Sequence, residues 1–310
     1  MQTVFIIGGT TFDHIIHLPQ LPQPRPQTIH EAPFHEGTGS TGSGKALNLH
    51  RLGVPLEFYS VLGQDSYGAY IEKDLRQAGV KAFYDYDPKG TERHVNIMDA
   101  EGNRISMFVT QSSETIEYDL PRIESAIRDS DILVLNIISY CRGLASLVKQ
   151  SGKPVWTDLH DYDGTNSYHN DFIEASDYIH LSSDNLPDYK PVMQRFIDKG
   201  KKLVVCTHGK AGVTVLTPTG EWLEQAALTH FPLVDANGAG DAFFSGFLWG
   251  WMQQLPLQQC MQYGSVCAAL CVGSKELSAT NLSAEILKEE WKKEYRRNKS
   301  GFRFFDSGFC

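Results

Sequence analysis

The chain has 310 residues, 41% of them hydrophobic and 21% charged, with a formal net charge of −9 at neutral pH. That length and balance suit a globular protein of one large domain with an appendage, or two modest ones, and the acid excess argues against non-specific nucleic-acid binding. No stretch approaches the ~20 apolar residues of a membrane span, and MQTVFIIGG has neither the basic lead-in nor the apolar length of a signal peptide, so a cytoplasmic protein with no membrane partner is expected.

Taken in chain order, MQTVFIIGG reads as a buried first strand. The proline-laden run HLPQLPQPRPQTIHEAPFHEG, residues 17–37, cannot supply central strands. It overlaps EGTGSTGSGKALNLHRLG, residues 36–53, in which Gly39 to Lys45 spell G-x-x-x-x-G-K, the start of a phosphate-binding P-loop. A P-loop needs an apolar strand before its first glycine and Ser or Thr after its lysine; here the lead is polar and proline-broken, and Ala46 follows Lys45. LEFYSVLG is a strand, and SYGAYIEKDLRQAG an amphipathic helix closed by glycine. ERHVNIMDAEGNRISMF reads as a hairpin around DAEGN. DILVLNII, PVWTDLH, YIHLSS, KLVVCTHG and GVTVLTP continue the strands, several apolar throughout as parallel strands covered on both faces are. YKPVMQRFIDKG supplies another amphipathic helix, and SAEILKEEWKKEYRR a charged one. The alternation is that of an α/β protein. The tail NKSGFRFFDSGFC matches neither helix nor capped strand and is set apart as residues 298–310, a peripheral, disordered or cloning-derived extension. The six cysteines (Cys141, Cys206, Cys260, Cys267, Cys271, Cys310) show no C-x-x-C pair, and three of them share a helical spacing that suits a buried face better than a metal site.

The segment that carries chemistry is PLVDANGAGDAFFSGFLWGWM, residues 232–252. A β-rich lead reaches Asp235, a Gly-Ala-Gly turn follows, and the next run is apolar on nearly every side, as in a helix buried in the core. Gly246 and Gly250 would let a neighbour approach that helix closely. At its entry, the N–H groups of Gly238, Ala239 and Gly240 can converge at the positive end of the helix dipole as an anion hole. Asp241 follows in the first turn. Its position alone does not raise its pKa, so it is expected ionised and able to accept a proton from a substrate hydroxyl. An anion hole beside a carboxylate suits phosphoryl transfer. The plain alternative, an aspartate that only caps a helix, suits an isolated Asp better than this D-x-x-G-A-G-D run.

DANGAGDAF resembles the D-T-x-G-A-G-D-x-F signature of the ribokinase-like (PfkB-type) carbohydrate and nucleoside kinases. IIGGTTFDHIIHLPQLP, VLGQDSYGAYIEKDLRQAGV and VVCTHGKAGVTVL are similar to three further family segments in the same order, so the likeness runs over roughly residues 3–297. It implies a three-layer α/β/α sandwich with a small β lid, a kinase domain over residues 1–297 and lid segments at about 14–35 and 91–110. By the resemblance Asp241 is the general base, and Gly238, Ala239 and Gly240 hold the transferring phosphate. Asp13, with Thr11 on the same strand face, would bind sugar hydroxyls. Thr207 and Gly209, the turn through Gly212, and Asp235 would lie on the nucleotide side. The implied partners are a small sugar and ATP, with Mg²⁺ held by phosphates and water rather than directly by protein. A homodimer through the lid is a further expectation.

Read backwards from HRLG, the glycine-rich stretch resembles the family's sugar-holding G-G-K-G-x-N loop rather than an ATP site. Gly39 and Gly42 would admit the hydroxyls, Ser40 and Thr41 replace the second Gly and the Lys, and Gly44 stands at the sugar-binding Asn, with Ser43 or Lys45 as substitutes for its amide. Other departures are Ser182 and Asn185 for the Asn and Glu of N-x-x-E, with Asp184 beside them, and Ala236 for Thr. CVGSKELSAT lacks the pattern near the family's monovalent-cation site, which argues against K⁺ activation. Lys45, Arg93 and Arg104 are candidates to pair with a second substrate phosphate, although each reads more readily as a solvated surface charge. His94 reads as a polar strand residue, and DLHDYDGTNSYH, Asp158 to His169, as a polar loop at the rim of the site or a metal cluster. Three readings compete with a sugar kinase. A nucleoside kinase would use Phe12, Phe34, Tyr59 or Phe108 over the base; a non-catalytic binding homologue would explain the altered N-x-x-E; a P-loop NTPase rests on the Gly39–Lys45 match alone.

Overall fold

The structure, a computed structural model, describes residues 2–296; the tail set apart at 298–310 lies outside them. In chain order the described elements are β1 Val4–Ile7, β2 Thr11–His17, β3 Phe34–Gly39, α1 Thr41–Arg51, β4 Leu56–Leu62, α2 Ser66–Gln77, β5 Ala82–Tyr86, β6 Arg93–Met98 and β7 Arg104–Thr110. There follow α3 Leu120–Asp129, β8 Ile132–Asn136, α4 Ala145–Gln150, β9 Val155–Asp158, α5 Asn170–Ala175, β10 Tyr178–Ser182, α6 Tyr189–Asp198, β11 Leu203–Thr207, β12 Val213–Leu216 and β13 Trp222–Gln225. Three helices close the described chain: α7 Ala239–Met252, α8 Leu257–Val272 and α9 Ala284–Tyr295.

The main sheet has nine strands in the order β13-β12-β11-β10-β9-β8-β1-β4-β5. From β5 to β11 every pair is parallel, and β12 and β13 add an antiparallel ribbon at one edge. The apolar runs explain this: β1, β8 and β9 are buried at every position, which requires cover on both faces. Their alternate side chains enter two separate cores. One contains Ile6, Val134, Trp156 and Val205 beneath α1, α2, α7, α8 and α9; the other contains Ile7, Leu135, Ile179 and Val204 beneath α3, α4, α5 and α6. The result is three layers, helix–sheet–helix.

α7 is apolar all round because it lies between the sheet and α8. A Cβ on Gly246 would stand 2.7 Å from the carbonyl oxygen of Tyr263, and one on Gly250 3.2 Å from Cα of Cys260, so these glycines set the close approach of the two helices. Cys260, Cys267 and Cys271 lie buried on α8 as free thiols.

β2, β3, β6 and β7 form a second sheet in the order β3-β2-β6-β7. The proline-rich stretch expected within the lid contributes no strand over residues 18–33, because proline lacks the N–H a ladder needs; the strands begin earlier, at Thr11, and resume at Phe34. Sequence periodicity did not resolve β2, β3, β5 or β13, which are short, mixed in polarity or at sheet edges. The G-x-D-x-x-G segment joins the two sheets. Asp65 caps α2 by accepting from the Gly68 N–H at 2.8 Å, and also accepts from the Thr91 N–H at 2.8 Å and the Thr91 hydroxyl at 2.7 Å, just before β6.

Candidate active site

Strand order reverses between β1 and β8: the chain leaves β1 toward β4 on one side and later builds β8, β9 and β10 outward on the other. In open α/β sheets the crevice at the carboxyl ends of strands beside such a reversal is where ligands bind. Here Gly8, Asn136, Asp158 and Ser182 mark those ends, and α1 and α7 both start there. Gly42 in the first turn of α1 meets the β1 exit so closely that a Cβ would lie 2.4 Å from the carbonyl oxygen of Gly9.

The centre of the crevice is an ion triad. Lys45, on α1, is completely buried; its Nζ donates to Asp241 Oδ1 at 2.5 Å and reaches Asp158 Oδ2, at the end of β9, at 3.1 Å. Lys45 is therefore not a solvated surface charge. Burial alone would favour its neutral amine, but the carboxylates of Asp241 and Asp158 outweigh that and hold its pKa above the ordinary lysine value. Burial also opposes the charge of Asp158, yet His160 and Lys45 hold its carboxyl well below the usual range. For Asp241 burial prevails over Lys45 and raises its pKa. The helix-entry position did not foretell this, because the cause is burial by the fold. His180 on β10 completes the surroundings, pushed down to about 3 by burial among Phe243, Phe244 and Phe247 and hence neutral.

The entry to α7 is left open. Gly238 takes a left-handed conformation at the N-cap (φ 78°), and no side chain caps the helix. The first intrahelical bond runs from the Ala242 N–H to the Gly238 carbonyl at 2.9 Å. The Ala239 N–H turns back to the Ala236 carbonyl at 3.3 Å and contributes less to an anion hole than was expected of it. A side chain on Gly240 would meet open space. The end of the helix thus offers amides and positive dipole beside Asp241.

The glycine-rich stretch is mostly structural. Gly39 packs against Asp13, where a Cβ would lie 2.2 Å from the carboxyl carbon, and Ser40 forms the N-cap of α1 at a positive φ of 73°. Thr41 donates to Asn136 Oδ1 at 3.2 Å. The Ser43 hydroxyl is buried and donates to the carbonyls of Gly39 and Ser40, so it does not replace the missing amide. Gly44 abuts Asp241: a Cβ there would stand 2.7 Å from Asp241 Oδ2. An asparagine at this position would collide with Asp241 as it is placed, and the next residue, Lys45, reaches the carboxylate instead.

Asp13 stands on the inner face of the second sheet. Its Oδ1 accepts from the Thr11 hydroxyl at 2.6 Å and its Oδ2 from the Asn96 amide at 3.0 Å; burial, the largest influence, raises its pKa. Asn96, which the sequence reading did not single out, is in turn held by the Ser106 hydroxyl at 2.6 Å. His94 pairs with Glu92 at 2.9 Å and stacks on Phe108, ring centroids 3.9 Å apart. Of the other aromatic candidates, Tyr59 is buried in the helix–sheet core and bonds Asp85, Phe12 packs on Tyr67 and Tyr70, and Phe34 is exposed. Arg93 bonds the Thr110 hydroxyl and covers the Tyr67 ring, while Arg104 donates to Asn237 at 3.1 Å.

On the expected nucleotide side, Ser182 ends β10 and its hydroxyl accepts from the Asp184 N–H at 3.1 Å. The Asn185 amide donates to the Asp161 carboxylate at 3.0 Å, which brings a carboxylate to the N-x-x-E position from a different segment. Thr207 ends β11 and donates to the Leu181 carbonyl at 3.4 Å. Gly209 begins the short turn that Gly212 closes at φ 109°, where a Cβ would lie 2.1 Å from the Gln225 carbonyl oxygen. Asp235 is buried and faces His17 and His35 of the second sheet.

A crevice at the switch point of a three-layer α/β sheet, with a helix entry open to an anion and a buried carboxylate beside it, suits a phosphotransferase that acts on a hydroxyl. The chain belongs to the pfkB family of carbohydrate kinases, whose model matches residues 1–284. It is 32% identical over 271 residues, 86% of this chain and 90% of the relative, to the acarbose 7(IV)-phosphotransferase of an Actinoplanes strain. It is 25% identical over 294 residues to a 5-dehydro-2-deoxygluconokinase of Clostridium perfringens, covering 84% of this chain and 86% of the relative. Among solved structures, the microbiome-derived acarbose kinase Mak1 superposes with a TM-score of 0.85 at 28% identity, over 94% of this chain and 99% of that one. Arabidopsis thaliana ribokinase superposes at 0.76 and 19% identity, over 94% and 99%, a likeness of fold. The fold is ribokinase-like and the protein is a carbohydrate kinase.

Proposed function

We propose that the protein transfers the γ-phosphoryl group of ATP to a hydroxyl of a sugar or sugar derivative, with Asp241 as general base. The observation that carries this is the Lys45–Asp241 pair at 2.5 Å beside the uncapped entry of α7. The sugar hydroxyl gives its proton to Asp241 as its oxygen bonds to phosphorus and the bond to the ADP oxygen breaks. Lys45 occupies Oδ1, which leaves Oδ2 for the incoming proton. Burial makes Asp241 a stronger base than a surface carboxylate, and the Lys45 ammonium keeps it available in ionised form. The backbone at Gly238 and Gly240, with the dipole of α7, stabilises charge on the transferring group. Asp13, backed by Thr11 and Asn96, receives sugar hydroxyls from the second sheet. Closure of that sheet as a lid over residues 11–39 and 93–110 excludes water from the transfer.

ATP lies along β10, β11 and the turn through Gly209 and Gly212. Hydrated Mg²⁺ supplies charge neutralisation on the phosphates when bound. The residues present fit it: Asp161, fixed by Asn185, offers a carboxylate at the rim in place of the family's Glu.

The acceptor class proposed first is a pseudo-oligosaccharide such as acarbose, because Mak1 and the Actinoplanes phosphotransferase resemble this chain over most of its length. ADP release is measured against acarbose, maltose, ribose, 5-dehydro-2-deoxygluconate, sugar phosphates and nucleosides. Acarbose-stimulated release that falls about 10²–10⁴-fold in Asp241→Asn supports the reading. Stimulation by nucleosides alone, or full activity in the variant, overturns it.

A further inference from the structure

The second sheet meets the loop before α7 through a cluster to which the proposed transfer assigns no step. His17 ends β2 and His35 stands in β3; their rings stack with centroids 5.3 Å apart, and His17 Nε2 lies 3.4 Å from His35 Nδ1. A carboxylate oxygen of Asp235, from the other side of the interface, lies within 4.8 Å of both imidazole donors. Asp235 is only 3% exposed. Its Oδ1 accepts from the Asn237 N–H at 2.7 Å, whereas Oδ2 is buried with no hydrogen-bond partner among the described residues. Asp235 thus keeps one buried carboxylate oxygen unpartnered in a cluster that also holds two imidazoles, which is costly unless something positive binds there.

The donor chemistry narrows what that is. Mg²⁺ and Ca²⁺ take oxygen shells, while two imidazoles and one carboxylate suit Zn²⁺ and its neighbours in the transition series. Tetrahedral Zn²⁺ with bonds of about 2.0–2.1 Å sets its donors about 3.3 Å apart, close to the spacing of the two imidazole nitrogens. Bringing the carboxylate oxygen to the same spacing takes a contraction of at most about 1.5 Å.

We propose that His17, His35 and Asp235 form a three-donor site for a divalent transition-metal ion, Zn²⁺ in the first instance, that clasps the second sheet to the loop entering α7. The ion would bind the closed arrangement and lose two of its three donors on opening, so it stabilises closure by mass action. The fourth position is open to water. The site sits beside the place where the β6–β7 turn already touches that loop: a Cβ on Gly102 would lie 3.6 Å from Cβ of Ala236.

The test uses the full chain without a polyhistidine tag, stripped with a chelator, loaded with Zn²⁺ or Co²⁺ and desalted. Wild type is expected to retain one equivalent, and its Co²⁺ form to show intense tetrahedral visible absorption without a thiolate charge-transfer band. His17→Gln and His35→Gln are each expected to lose that equivalent. Zn²⁺ should slow hydrogen exchange across residues 11–39 in wild type and not in the variants. Absence of retained metal in wild type, an octahedral or thiolate-bearing cobalt spectrum, unchanged retention in either variant, or exchange that Zn²⁺ does not slow overturns the proposal. The cobalt spectrum of wild type reads the donors without relying on any variant, and none of these readouts depends on turnover.

Discussion

Lys45 is the residue on which the proposed role of Asp241 turns. Removing it leaves Asp241 and Asp158 buried side by side without their cation, an arrangement that costs about 3–5 kcal/mol where one partner of a buried pair is lost. Burial and the Asp158 charge would then raise the pKa of Asp241 with only His160 left to oppose them. Lys45→Met should therefore lower kcat by about 10²-fold at neutral pH and move the acid limb of the pH–rate profile upward, with part of the rate recovered in alkaline buffer. A uniform loss at all pH values would show that Lys45 does not act through the ionisation of Asp241. Asp158 gives a prediction of opposite sign for stability. Its folded pKa is depressed, so below about pH 4 the unfolded chain takes up a proton that the folded chain does not, and stability falls as the solution is acidified. Asp158→Asn removes that contribution. Its Tm should change less between pH 5 and pH 3 than that of wild type, even from a lower starting value. Equal slopes would mean that Asp158 is not held ionised by His160 and Lys45.

At the scale of elements, α1 and α7 form the site where they meet. α7 was legible because its signals are local: a Gly-Ala-Gly entry, an aspartate in the first turn and an apolar run occupy one stretch of chain. The role of α1 was not. Lys45 looks like any lysine in a polar, glycine-rich segment, and its burial arises only when residues 113 and 196 positions further along fold back onto it. Nothing in a helical period announces such a convergence. The Asp161–Asn185 pair and the Asp235 cluster were hidden for the same reason. Gly44 links the two helices and separates fold from function. Alanine in a helix interior is favoured over glycine by up to about 1 kcal/mol, so Gly44→Ala should leave Tm within a few degrees of wild type. Its Cβ would nevertheless stand 2.7 Å from Asp241 Oδ2 and displace the base. A displacement of that order costs up to about 10²-fold in rate. The expected result is a low kcat with nearly normal ATP binding by calorimetry; unchanged kcat would show that Asp241 tolerates the intrusion.

The whole molecule is a three-layer body carrying a second sheet with two unlike faces. The inner face presents Asp13, His94, Asn96 and Ser106, joined by hydrogen bonds or ring contacts within the sheet. Alternation along the strands sends Ile16, Val95, Ile97, Ile105 and Met107 to the outer face, and Val109 stands at the bulge where β7 passes Arg93 and His94. β7 forms one edge of this sheet, and Ile105, Met107 and Val109 are 39%, 44% and 58% exposed. An apolar edge strand left in water is an aggregation hazard that native proteins cover or break with charge. Here it carries neither proline nor an inward-pointing charge after Arg104. A second copy would supply matching cover, since a two-fold axis sets the same patch against itself. We therefore expect a homodimer through the outer face of the second sheet, measured as twice the chain mass by light scattering. Val109→Lys places a charge at the exposed end of β7 and should shift the equilibrium to monomer. Because the inner face of the same strands holds Asp13, the carboxylate proposed to bind the sugar, the monomeric variant should show a raised KM for the acceptor with little change in that for ATP. A wild-type monomer at micromolar concentration, or a dimer unaffected by Val109→Lys, would place the cover of this face elsewhere.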